Sequence, residues 1–190
     1  MNTKELINNL VEDTKTIIKT VEQDFSTIDK NTANWKENPE SWSILECFEH
    51  LNIYNRYYNE ALQTAIQKAK NSKSKPTFKS GWFGKMSIDM MKPSNTKKQK
   101  TMTKFNPVNS QLDKTVIEEF LKHQYSLLLL LEQSKRINIS KNAVPVEFLR
   151  WLKMKIGDTF IFVIVHEQRH LQQAQRTLTT ALSQTKKVNI

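Results

Sequence analysis

Four histidines stand in the 190 residues, and two of them, His166 and His170, are four apart in the stretch FIFVIVHEQRHLQQAQ from Phe160 to Gln175. Strong helix formers follow an apolar run there with no Gly or Pro inside, so the stretch reads as a helix. That spacing puts both imidazoles on one helical face, about 5–6 Å apart at Cβ, close enough to share one metal ion. A helical wheel sets them beside Val163, Ala174 and Ala181, pointing into a core. Two unpaired polar rings in a core cost about 1–3 kcal/mol each unless something satisfies them, and a metal ion would do so. The letters HEQRH also match the HExxH pattern, in which the Glu, here Glu167, is the general base of a metalloprotease. Such a site takes a third ligand from further along the chain, but no His, Asp, Glu or Cys follows His170 up to Ile190. Gln173 and Arg176 stand where the extended motif has Gly and His, which weighs against a protease.

A third ligand must then come from upstream, where only His50 and His123 remain. His50 lies in SWSILECFEHLNIYNRYYNEALQTAIQKA, whose wheel gives an apolar stripe of Ile44, Cys47, Leu51, Tyr54, Tyr58, Ala61, Leu62 and Ala65, with His50 on its inward flank. One inward histidine on a helix that faces two on another makes a three-histidine site with room left for water or substrate. His123 falls on the inward stripe of a further helix, between Phe120 and Leu127. A core histidine satisfied by its neighbours is the simpler reading there, and a ligand or proton shuttle the alternative. Cys47, one turn before His50, reads as a small buried hydrophobe. Glu167 is a candidate base, or a group orienting a ligand through a ring N–H. A surface ion pair with a neighbouring Arg or Lys is the plainer alternative. Arg169 is expected outward or at a helix interface.

The elements that must position these residues are helical. Only three Gly and five Pro interrupt the chain, and alternating β-branched runs are almost absent, which makes the class all-α. Helix one is expected over Thr3–Ile28, with Leu6, Leu10, Ile17, Val21, Phe25 and Ile28 at 3- and 4-residue steps, followed by a polar connection from Asn31 to Pro39. Ser41 or Ser43 is the expected N-cap of a helix two running to about Lys70, and Ser43, with Glu46 three residues on, gives the capping-box pattern. Helix three is expected over about Ser110–Lys135, Pro145 as the first residue of a short helix through Trp151 and Leu152, and Asp158 as the N-cap of helix four to about Leu182. The connection Asn71–Asn109 contains GWFGKMSIDMMKP, read as a short helix with Trp82, Met86 and Met90 on one side, a lid packed on the helices. Four long amphipathic helices make a four-helix bundle, and a crossover this long allows an up-down-down-up course. The expectation is one domain over residues 1–190.

The net charge of +10 is concentrated. Between Lys68 and Lys104 there are eleven lysines and a single acid, Asp89, while the rest balances at 18 basic and 18 acidic residues. No apolar run approaches the roughly 20 residues a membrane span needs. The single cysteine excludes an internal disulfide and points to a reducing cytoplasm.

The segment Trp42-Ser-Ile-Leu-Glu-Cys-Phe-Glu-His50-Leu51, together with the late HEQRHLQQ from His166 and the order of helices, resembles the DinB/YfiT-like superfamily. The resemblance implies a four-helix bundle that binds a divalent metal, zinc or nickel, through three histidines, matched here by His50, His166 and His170. It also implies an activity. Some members resemble thiol S-transferases that join a low-molecular-weight thiol such as bacillithiol or mycothiol to a small-molecule electrophile, and others isomerases or hydrolases. The lysine-rich insert at 68–104 lies outside that pattern. A homodimer is compatible with it.

Two functions of different class follow. In the first, three neutral imidazoles leave a divalent ion its charge and an open position, so that a bound water or thiol ionises near neutral pH, as a metal-dependent thiol transferase or hydrolase needs. The insert lysines would attract an anionic cosubstrate. In the second, the chain is a non-catalytic module whose basic insert binds nucleic acid or an anionic surface. Against this second reading, the insert has few aromatics and no recognised DNA-binding motif, nucleic acid is not the expected partner, and a solvated, mobile charged loop explains the lysines about as well.

Overall fold

In the computed structural model, which describes residues 1–95, 97 and 100–188, the order is α1 (Thr3–Asp24), α2 (Lys30–Asn34), α3 (Ile44–Ala69), α4 (Trp82–Met91), a 3-10 turn (Thr103–Phe105), α5 (Thr115–Ser134), β1 (Asn142–Val146), β2 (Leu149–Lys155) and α6 (Ile156–Val188). The protein is mostly helical. α3 packs against α5 and α6, and α1 packs against the same two helices. The shared core draws on the stripes the periodicity marks: Leu6, Leu10, Ile17 and Val21 of α1, Ile44, Cys47, Leu51 and Tyr58 of α3, and Phe120 and Leu127 of α5 are all buried.

α1 stops at Asp24, short of the expected Ile28, although Phe25 and Ile28 stay buried beyond its end. Asp29 then caps α2 by accepting from Asn31 and Thr32 N–H, inside what the sequence suggests is a plain connection. The start of α3 follows expectation closely. Ser43 Oγ accepts from Glu46 N–H at 3.2 Å, and Glu46 Oε2 accepts from Ser43 N–H at 2.8 Å, which satisfies two of the donors a helix start leaves unpaired. Glu46 Oε1 also accepts from Lys36 Nζ at 3.0 Å and from Asn109 N–H at 2.6 Å, anchoring the far end of the long connection on α3.

The expected short helix after Pro145 is instead a two-stranded antiparallel hairpin, so the chain is not purely α. Val144 and Val146 are buried β-branched residues on one side of β1, and the Pro145 carbonyl accepts from Tyr57 Oη of α3 at 3.2 Å. Proline lacks the N–H whatever the element, so its presence suits the first turn of a helix and an irregular edge strand alike. Asp158 is not the cap of α6 either. The helix begins two residues earlier because Ile156 and Gly157 donate their N–H groups to the carbonyls of Lys141 and Ile139, both at 3.0 Å. That frees the Asp158 carboxylate to accept from Gly81 N–H at 2.9 Å.

The same contact docks α4 on α6. Gly84 lies so close to Asp158 that a Cβ there would overlap its carboxyl group. Gly84 and Ile88 are the buried positions of α4. Trp82, Met86 and Met90, expected to be packed inward, point away from the body instead. Lys98, one of the insert lysines, lies outside the described residues.

Candidate metal centre

His50 comes from the second turn of α3, whose start the capping box fixes, and His166 and His170 come from successive turns of α6. The structure brings the three together. Each offers one ring nitrogen, and these atoms all lie within 4.8 Å of one another. His50 Nε2 and His166 Nε2 are 3.1 Å apart. His50 and His166 are buried, and His170 is partly accessible.

Their hydrogen bonds determine which nitrogen each ring presents. His50 Nδ1 lies 2.7 Å from the Phe105 carbonyl, which can only accept, so Nδ1 carries the proton and Nε2 the lone pair. His170 Nδ1 donates in the same way to Gln173 Oε1 at 3.0 Å. Burial keeps the rings neutral. Desolvation lowers His50 to about 4 and His170 to about 3, the latter also through repulsion from His50. His166 is held well below the usual imidazole range, first by desolvation and then by His170 and His50. Neutral imidazole is the form in which histidine binds metals, and His50 and His170 carry their Nε2 lone pairs free of those outer bonds. Two nitrogens each about 2.0–2.1 Å from a tetrahedral ion would stand about 3.3 Å apart, close to the His50–His166 separation. The donor set therefore fits a divalent ion. Each outer nitrogen that is bonded to an oxygen is the supporting arrangement ligand histidines need.

Aromatic rings surround the cluster. Trp42 lies 4.7 Å from His50 and 5.5 Å from His170, and Tyr54 lies 5.1 Å from His50 and 4.6 Å from His166, between ring centres. Phe105 covers Tyr54 from the 3-10 turn at 4.7 Å. Trp42 Nε1 donates to Asn106 Oδ1 at 3.0 Å. The late part of the long connection is thus laid over the histidines. Arg169, beside His170, secures its earlier part by donating to the carbonyls of Lys92, Asn95 and Lys97.

The other candidate residues sit apart from the three rings. His123 is half-buried at the edge between α3 and α5, near Asn59 and 3.3 Å from Glu119 Oε1; the neighbouring Gln124 is the residue that points inward. Glu167 is buried, and among the described residues no Lys or Arg pairs with it, so it is not a surface ion pair. Its Oε1 accepts from Gln124 Nε2 at 2.7 Å, and the Asn55 amide faces it from α3. Desolvation raises its carboxyl to about 7 against the opposing pull of Gln124 and Asn55. Cys47 is buried, and its thiol is pushed up by desolvation, as expected of a core hydrophobe.

Sequence reasoning gives Gln173, Phe105 and Gln124 no part in the site. Gln173 stands three residues after His170 on the same helix, a spacing that brings side chains together, so a signal existed. A backbone carbonyl such as that of Phe105 leaves none. A family model described as the DinB superfamily matches residues 15–174. No curated protein and no solved structure matches the chain.

Proposed function

The chain belongs to the DinB superfamily, and on that premise we propose that it is a divalent-metal-dependent enzyme, a thiol S-transferase or related hydrolase, with zinc or nickel held by His50, His166 and His170. The observation that carries this reading is the convergence of three neutral imidazoles whose outer nitrogens, at His50 and His170, are already bonded to oxygens. The pairing of α1 and α3 each with α5 and α6 supports a single four-helix bundle as the scaffold, for which the proposed course is up-down-down-up.

When bound, the ion would supply a positive charge that lowers the pKa of a thiol or water placed against it. The protein's own residues do the rest. Phe105 and Gln173 fix the orientation of two rings. Trp42, Tyr54 and Phe105 exclude water and leave an apolar wall for a small electrophile. In this reading Glu167 is a positioning residue, tying α6 to α5 through Gln124 one residue from His166. Cys47, buried and protonated, is not the nucleophile; a low-molecular-weight thiol of the cytoplasm supplies the sulfur.

The test is elemental analysis joined to an activity screen. The expected result is about one divalent ion per chain, absent from a His166→Ala/His170→Ala variant, and turnover of a thiol with an electrophile or ester by the metal-loaded protein. Stoichiometric metal retained by the double variant would defeat the site. A full panel without turnover would leave the ion a structural role only.

A further inference from the structure

The metal centre makes no use of the lysines that give the chain its +10 charge, nor of the outer face of α4. That helix rests on α6 through Gly84 and Ile88 and is held at its start by the bond from Gly81 N–H to Asp158. At about 100° per residue, the direction opposite Gly84 and Ile88 carries Trp82, Met86 and Met90. They are 80%, 39% and 39% exposed. Lys85 and Lys92 flank the stripe, sharing Asp89 at 3.2 and 2.7 Å. In the chain before and after α4, Lys73, Lys75, Lys79, Lys97 and Lys100 are exposed, and among the described residues none of them has an acidic partner.

We propose that this face of α4 docks the protein on an anionic lipid surface, with Trp82, Met86 and Met90 in the headgroup boundary and the lysines of the segment against lipid phosphates. An outward apolar stripe led by a tryptophan and bordered by lysines is the composition of a helix that lies in a membrane interface. Here the packing on α6 fixes the helix in place beforehand, so little ordering cost remains at binding. Charge decides against the other occupants. A second copy would set one lysine-rich segment against another, and like charges across an interface repel. Duplex nucleic acid would neutralise the lysines but leave the methionines uncovered.

Co-sedimentation of the full chain with phosphatidylcholine vesicles, with and without phosphatidylglycerol, tests the proposal. The expected result is binding to the phosphatidylglycerol vesicles alone, weakened by salt, with a blue shift of tryptophan emission that Trp82→Ala removes. Trp82→Ala/Met86→Ser/Met90→Ser should weaken binding at least about tenfold, because affinity scales with the apolar area inserted. Its circular dichroism and metal content should match the wild type. Lys73→Gln/Lys75→Gln/Lys79→Gln, which leaves α4 untouched, should weaken binding as well. Absence of binding, equal binding to both vesicles, or full binding by both variants would overturn the proposal. So would a solution dimer dispersed by the apolar variant, or lysine-dependent binding of duplex DNA without vesicle binding.

Discussion

His50 Nε2 lies 3.1 Å from His166 Nε2, across 116 residues of sequence. With the His50 proton committed to the Phe105 carbonyl, one interloper must sit between these two nitrogens: a proton on His166 or a cation shared by both. Two bare lone pairs at that distance would repel. The contact is therefore closed either by a hydrogen bond from His166 or, under the proposed assignment, by a shared cation.

Removing an outer bond should loosen the site without dismantling it. Gln173→Leu takes away the acceptor for His170 Nδ1. Metal affinity is expected to fall about 10–100-fold, measured by competition with a chelator, with the fold retained. Unchanged affinity would show that the ring is held by packing alone.

Because the ligands come from α3 and α6, metal binding should raise the melting temperature. At a hundredfold excess over its dissociation constant the ion adds about 2.7 kcal/mol if it binds only the folded chain. Chelation should lower the melting temperature of the wild type and barely move that of His50→Ala. Equal shifts in both would remove His50 from the ligand set.

Metal-free protein should be acid-sensitive. In the folded chain His50 is lowered to about 4 and His170 to about 3, from 6.5. Below about 6.5 the unfolded chain takes up protons that the folded chain refuses. Stability is thus complete above that pH and falls as pH drops, by up to about 1.4 kcal/mol per pH unit for each histidine. Glu167, raised to about 7 from 4.5, acts in the opposite direction, losing stability as pH rises through that window. One carboxyl does not offset three imidazoles, so the melting temperature should decline from pH 6.5 towards 4, and more steeply in Glu167→Gln. A flat profile in both would contradict the burial of these groups.

Charge and packing in the long connection should separate cleanly. Neutralising Lys73, Lys75, Lys79, Lys97 and Lys100 should leave the melting temperature nearly unchanged, since exposed charges contribute well under about 1 kcal/mol each. Phe105→Ala, at a buried position, should cost about 3–5 kcal/mol. Comparable losses in the two variants would mean that the lysines are structural.

How far the sequence could be read depended on how local each signal was. Ser43 with Glu46, and His166 with His170, are carried by spacings within one or two turns, and both arrangements are present as expected. The hairpin was misread because its turn, Glu147–Phe148, contains none of the Gly, Asn or Asp that marks a tight reversal, while Pro145 imitates a helix start. The His123 position was lost to a small error of helical phase, which moves the inward direction to Gln124. Asp158 looks like a cap from sequence alone, and only the carbonyls of Lys141 and Ile139 explain why none is needed.

The distance in sequence between the ligands also sets an order of events during synthesis. Metal-templated domains, such as zinc fingers, gather ligands that are close neighbours along the chain, so the ion can direct their folding. Here a growing chain displays His50 long before α6 exists, and the carbonyl that orients its ring arrives in between. No ion can be held by all three rings until the last helix has packed. Under the proposed assignment, metal loading would be a maturation step performed after the last helix has packed, with the ion stabilising a fold it does not template.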